Sequence, residues 1–188
     1  MICLILGLAL WSGVHLFPAL GATARAALIE RLGEGPYKGI FALSLVAAIV
    51  LMVLGWRATP PATVYAPLIS NGTVSNVLVF VALLLFLASG VPTNIKRFLR
   101  HPQLTGLAVW AASHLLSNGD GRSLVLFGGL GAWAIVEIMA LNRRDGAWQK
   151  PEPLPLAADL KPLVAGVIGF AIFYFAHPWL SGVSLFAG

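Results

Sequence analysis

The sequence predicts an all-α integral membrane protein with about six transmembrane helices. Three observations indicate this class. Of the 188 residues, 59% are hydrophobic and only 10% are charged. The apolar residues are gathered in long stretches, and the basic residues fall in the loops between them. Since soluble domains carry about 25% charged residues, lipid must be the solvent for much of this surface.

Six apolar stretches follow one another and make a single transmembrane domain over residues 1–188. They cover about residues 1–20, 39–56, 74–95, 102–117, 123–141 and 162–186. A span of about 20 apolar residues crosses a bilayer core of ~30 Å, so most of the stretches are long enough and the fourth is marginal. None of the linkers is long enough to mark a second domain.

The polar segments between the spans have distinct compositions. Residues 23–32 mix three charged residues with alanines and leucines, which predicts a short amphipathic helix on the membrane surface, ended by Gly33 and Gly35. Residues 59–73 contain three prolines and predict a loop, and so do the polar residues 142–161.

Basic residues predict how the chain is oriented. Ten of the 12 Lys and Arg lie in the first, third and fifth loops; the other two are Arg57 and Arg122. Cytoplasmic loops are enriched in Lys and Arg, so both chain ends are expected to face away from the cytoplasm. The basic residues form no nucleic-acid-reading motif, and no nucleic acid partner is expected.

A short pattern occurs twice. Residues 7–16 and 106–115 match at six of ten positions without a gap, and the matches include tryptophan and histidine, which are scarce in this chain. The first copy runs inward and the second outward, which favours a three-plus-three inverted repeat over a chance match. Repeats of this kind place binding sites near the bilayer midplane.

The histidines in this pattern are the candidate ligands. Trp11 and Trp110 each precede a histidine by four residues, so each pair shares a helical face. His15 and His114 could therefore ligate a haem iron, with the tryptophans lining the porphyrin. The alternative is a histidine hydrogen-bonded between helices. His101, beside two arginines, is an interfacial residue or helps to hold an anionic group of the cofactor.

Two acids are predicted to stabilise helix ends. Glu137 is the only acid within a span, and its side chain is expected either to reach the interface and meet Arg143 and Arg144 or to orient a histidine. Asp120, in a polar turn, is expected to cap the fifth helix.

The chain resembles the NnrU family over nearly its whole length. The residues that carry the resemblance are His15-Leu16, Pro18, Arg25, Leu32-Gly33, Tyr37, Ser44-Leu45, Arg100-His101-Pro102, Gly106, Trp110, His114-Leu115, Asn118-Gly119-Asp120, Ser123-Leu124 and Phe127-Gly128. The resemblance implies a multi-pass bacterial membrane protein linked to denitrification through the expression of nitric oxide or nitrite reductase.

The family is similar to the plant 15-cis-zeta-carotene isomerase, a membrane protein that binds haem b and isomerises a carotenoid. That similarity implies haem b on His15 and His114, and it implies a hydrophobic small molecule as a partner besides the lipid bilayer. Where the isomerase has a cysteine three residues before its second ligand, this chain has Ala111.

Two functions follow as hypotheses. In the first, a haem protein acts in nitric oxide-related metabolism or as a cis–trans isomerase of a polyene. In the second, the chain is a non-enzymatic accessory or transport protein for respiratory enzymes, and its histidines are structural.

Overall fold

The computed structural model describes residues 1–69, 72–183 and 185, and these residues form seven α-helices. The helices are α1 (Ile2–Leu20), α2 (Ala22–Leu32), α3 (Glu34–Ala58), α4 (Gly72–Ala88), α5 (Pro102–Ser117), α6 (Gly121–Asp145) and α7 (Leu160–Ser181). Two short 3₁₀ helices, Asn94–Arg97 and Leu156–Asp159, lie in the loops. No strand is present among the described residues, so the predicted all-α class is confirmed for them.

Four segments are long and apolar enough to cross a bilayer. These are Ile2–Leu20, Glu34–Ala58, Gly121–Asp145 and Leu156–Ser181. Helix α4 is apolar but has 17 residues, and α5 has 16. At a rise of about 1.5 Å per residue, α5 is shorter than a bilayer core of ~30 Å. The structure therefore supports a membrane protein with four full-length candidate spans, and the count of six stays a prediction.

Most predicted boundaries agree with the structure, and two do not. The surface helix predicted over residues 23–32 is α2, and Gly33 ends it with a φ of 83°, a left-handed backbone conformation that favours glycine. The third span was predicted to continue to residue 95, but α4 ends at Ala88. Gly90 and Pro92 explain this, since both disfavour a continuing helix. The last span was predicted to continue to residue 186, which lies outside the described residues, but α7 ends at Ser181, where Gly182 has a φ of 77°.

The helices form two compact units. Unit 1 comprises Met1–Ala66 and Gly119–Ala147, and unit 2 comprises Pro67–Asn118 and Trp148–Gly188. In unit 1, α1 packs against α3 and α6; in unit 2, α4 packs against α5 and α7. Each unit thus draws helices from both halves of the sequence. This division differs from the split into the first three and the last three spans that the repeat predicted.

Glycines allow the closest helix contacts within each unit. In unit 1, a Cβ at Gly55 would fall on the backbone nitrogen of Leu4, whose side chain is fully buried. In unit 2, a Cβ at Gly106 would lie 2.6 Å from the carbonyl oxygen of Ala82. Small residues permit such close backbone approach, which membrane helices need because packing rather than the hydrophobic effect holds them together.

Polar contacts fix the loops of each unit. In unit 1, Asp120 caps α6 as predicted: its carboxylate accepts hydrogen bonds from the backbone N–H of Ser123 at 3.0 Å and from the Ser123 hydroxyl at 2.6 Å. In unit 2, the Asp159 carboxylate accepts from the Thr93 hydroxyl and from the backbone N–H of Asn94 at 2.8 Å. This contact ties the two 3₁₀ helices together.

Candidate functional site

The tryptophan and histidine of α1 contact each other in unit 1. Trp11 and His15 are four residues apart on an α-helix, which places them on one face, and their ring centroids are 4.3 Å apart with an interplanar angle of 40°. The Nδ1 of His15 lies 3.0 Å from the carbonyl oxygen of Trp11, to which an Nδ1–H donates. This bond fixes the orientation of the half-buried imidazole.

Aromatic rings from the two neighbouring helices enclose His15. The Trp133 ring on α6 lies 4.8 Å from the His15 ring, and it also meets the Trp11 ring edge-on at 5.6 Å. Phe41 on α3 approaches His15 edge-on at 5.9 Å. Three of the four α-helices of unit 1, namely α1, α3 and α6, therefore contribute to the surroundings of this histidine.

Three buried polar atoms of α1 and α6 have no hydrogen-bond partner of good geometry among the described residues. They are the indole nitrogens of Trp11 and Trp133 and the Oε2 atom of Glu137. The Trp133 indole and the Glu137 carboxyl do interact with each other. Buried polar groups are rarely left unpaired, and such groups often contact a ligand or an ordered water. The Trp11 indole beside His15 therefore identifies this part of unit 1 as a candidate binding site.

The position of Glu137 corrects one prediction. Of its two predicted roles, reaching the interface to meet Arg143 and Arg144 is not observed, because the residue is only 6% exposed and forms no ion pair with any described residue. The other role, orienting a histidine, stays a prediction. Trp133 stands one turn before it on α6. The helix buries this face against α1, so the carboxyl group is held inside unit 1.

The second tryptophan–histidine pair has nearly the same local geometry in unit 2. The rings of Trp110 and His114 are 4.7 Å apart with an interplanar angle of 47°. The Nδ1 of His114 lies 2.9 Å from the carbonyl oxygen of Trp110. The side chain of Asn118 donates to the His114 carbonyl at 2.9 Å, which closes the end of α5. The sequence match between the two patterns is therefore also a match of side-chain conformation.

The two remaining histidines have other surroundings. His101 precedes α5, and its carbonyl accepts hydrogen bonds from the backbone N–H and the hydroxyl of Thr105, both at 3.0 Å. Arg97, expected beside it as an anion-binding group, donates from Nε to the carbonyl of Pro151 at 3.2 Å. His177 contacts the Val183 carbonyl at 2.9 Å near the end of α7.

Comparison with known proteins settles the family. A family model described as NnrU protein matches residues 3–185, which is nearly the whole chain. The chain belongs to the NnrU family. Among curated proteins and among solved structures, none matches it significantly.

Sequence patterns identified only part of the site that this NnrU-family chain forms around His15. They named Trp11 and missed Trp133 and Phe41, which contact the same imidazole. Trp133 and Glu137 do show the four-residue spacing of the other pairs, a signal that could have placed both on one face of α6. Phe41 has no comparable signal, because phenylalanine is frequent in every span.

The described residues do not form a metal site with three or more protein ligands. Across residues 1–69, 72–183 and 185, no three His, Cys, Asp or Glu side chains are grouped as metal ligands. Haem iron needs fewer, because the porphyrin supplies the equatorial nitrogens and the protein supplies one or two axial ligands. The imidazoles of His15 and His114 are chemically suited to that role.

Proposed function

We propose that this NnrU-family protein lies in a bacterial cytoplasmic membrane and binds haem b, which His15 and His114 would hold. Its role would be in denitrification and nitric oxide-related metabolism. One observation carries the proposal. The two histidines have matching conformations, each with Nδ1 near 3 Å from the carbonyl oxygen of the tryptophan one turn earlier.

Hydrogen bonding at Nδ1 prepares a histidine to bind a metal. A proton on Nδ1 that is donated to a backbone carbonyl leaves the ring lone pair on Nε2, which is the ligand atom. Metal-bound histidines usually donate their other N–H in this way, and the bond raises the basicity of the ligand nitrogen. In a bilayer-facing helix, a neutral imidazole also avoids the cost of a buried charge.

The residues around His15 suit a flat, apolar group with polar substituents. Trp11, Trp133 and Phe41 offer aromatic surface and exclude water from the imidazole. The indole N–H of Trp11, which has no partner of good geometry among the described residues, can donate a hydrogen bond to an anionic or carbonyl oxygen. Bound haem would supply electron transfer, and it would bind a small gas molecule only where the gas displaces one of the two histidines.

The similarity to the carotenoid isomerase suggests a second activity at the same site, namely cis–trans isomerisation of a lipid-soluble polyene. Expression in a carotenoid-producing strain that lacks its isomerase tests this activity alone. Restored downstream carotenoids would assign it, and their absence would leave the nitric oxide-related role. The proposed periplasmic placement of the two chain ends is tested separately by one phosphatase fusion at each end, and both fusions are expected to be active.

Haem content tests the proposal directly. Detergent-purified wild-type protein is expected to show a Soret band and to carry haem b. The variants His15→Ala and His114→Ala should each lose or weaken it. His177→Ala is the matched control, since it removes a histidine that also lies in an apolar helix, and its haem content should equal that of the wild type. A colourless wild type, even after haem is supplied, would favour an accessory or transport role.

A further inference from the structure

An open apolar groove runs along one side of unit 1. It has a volume of about 460 Å³ and lies among α1, α2 and α3. Its walls are formed by residues such as Gly13, Phe17, Leu28, Leu32, Tyr37 and Phe41. The groove is too apolar for a charged metabolite and opens at the surface of the unit, so an acyl chain from the bilayer matches its chemistry.

One polar atom in the groove wall has no partner. The hydroxyl of Tyr37 is buried and makes no hydrogen bond to any described residue. The other polar side chain of the wall, Ser44, donates to the carbonyl of Ile40 at 2.8 Å and is thereby satisfied. A buried O–H without an acceptor is unfavourable. It therefore suggests that the occupant of the groove carries an oxygen acceptor.

A positive charge lies over the ring of that tyrosine. The guanidinium of Arg25 on α2 lies 5.6 Å from the centre of the Tyr37 ring, and the residue is exposed. Among the described residues, no carboxylate lies within 4 Å of it. The nearby Glu34 carboxylate is paired with Lys38 at 2.8 Å. The groove thus combines an apolar channel, the Tyr37 hydroxyl that lacks a hydrogen-bond acceptor, and the exposed cation of Arg25 over the tyrosine ring.

We propose that this groove binds one anionic glycerophospholipid of the surrounding bilayer. An acyl chain lies in the channel, the phosphate is placed at Arg25, and an ester carbonyl accepts the hydrogen bond from Tyr37. The acyl chain then contacts apolar side chains, the carbonyl contacts a hydrogen-bond donor and the phosphate contacts a cation. Basic residues at the membrane surface attract anionic headgroups in this way. This lipid site shares Phe41 with the surroundings of His15, but lipid binding there does not require haem.

Native mass spectrometry tests the site. The full chain in mild detergent is titrated with phosphatidylglycerol or with phosphatidylcholine of the same acyl chains. Wild type is expected to bind one phosphatidylglycerol with about fivefold or greater preference, which Arg25→Gln should abolish. The matched control Arg57→Gln removes an exposed arginine at the end of α3 and should keep the preference.

Two further variants separate the hydroxyl from the channel. Tyr37→Phe should weaken the binding of both lipids to the same extent, because both carry ester carbonyls. Tyr174→Phe in unit 2 should change the binding of neither lipid. Gly13→Leu should reduce the binding of both lipids, since a Cβ at Gly13 meets open space and the side chain would fill the groove. Equal binding of the two lipids by wild type would overturn the proposal. An effect of Arg57→Gln as large as that of Arg25→Gln would overturn it as well.

Discussion

Replacing Gly55 by alanine should separate α1 from α3. The added Cβ would lie 2.7 Å from the Leu4 Cα and 2.8 Å from its Cβ. Carbon atoms pack best at about 3.5–4.0 Å, so the two helices must move apart by about 1 Å. The obstructing atoms belong to or adjoin the backbone and cannot rotate away, and Leu4 is fully buried.

Gly39→Ala, on the same helix, isolates the cost of that contact. A Cβ at Gly39 meets nothing within 4 Å. Both changes gain the same helix propensity of about 0.5–1 kcal/mol, so the difference between the variants reports the overpacking alone. Overpacking typically costs about 1–3 kcal/mol. For a chain of this length, that predicts an apparent Tm for Gly55→Ala roughly 2–12 °C below that of Gly39→Ala.

Thermal unfolding in one detergent, followed by intrinsic fluorescence, measures this difference. Tryptophans in both units supply the signal, and the heating rate is held constant because membrane proteins often unfold irreversibly. Equal apparent Tm values for the two variants would show that α1 and α3 do not approach as closely as the structure has them.

Three further changes test other contacts. Gly106→Ala should lower the apparent Tm relative to Gly128→Ala. A Cβ at Gly106 would lie 2.6 Å from the Ala82 carbonyl oxygen, whereas a Cβ at Gly128 meets open space. Equal apparent Tm values would contradict the packing of α4 on α5. Arg122→Met should lower the free energy of unfolding by about 1–3 kcal/mol. The Arg122 guanidinium lies 4.3 Å from the centre of the Trp56 ring and donates hydrogen bonds to the carbonyls of Trp56 and Thr59. The control Arg57→Met changes an exposed arginine, and its free energy of unfolding should stay within about 0.5 kcal/mol of the wild-type value. Asp159→Ala should speed tryptic cleavage after Arg97, because the carboxylate holds the 3₁₀ helix Asn94–Arg97 against the 3₁₀ helix Leu156–Asp159. Glu152→Ala, at an exposed position, should leave the rate unchanged, and equal rates in both variants would refute the role of Asp159.

Hydropathy located the helices because a lipid-exposed helix needs a long apolar run, and such a run can be recognised within each segment on its own. The fourth stretch was predicted over residues 102–117, and α5 occupies Pro102–Ser117. Hydropathy overran two boundaries, the ends of α4 and α7, and at each a glycine follows within two residues of the last helical one. Local composition was enough for these features, since each depends on neighbours in the sequence.

Which helices pack together in one unit could not be predicted from local composition. Unit 1 takes α6 from the second half of the chain, and which apolar face packs on which depends on side-chain shapes that hydropathy does not distinguish. The same limit applies to the site. Spacing alone paired Trp11 with His15, but Trp133 joined them only through the packing of α6 on α1. Glu137 was expected at the interface for the same reason, since its burial is a property of that packing.

The ligation of one haem by His15 and His114 is the central claim, and the spin state of ferric haem tests it most directly. Electron paramagnetic resonance of the wild type should show the low-spin signal of two imidazole ligands. His114→Gly should become high-spin and return to low-spin when free imidazole is added, and His15→Gly should behave in the same way. A wild type that binds no haem, or a low-spin signal that persists in both variants without imidazole, would contradict the claim.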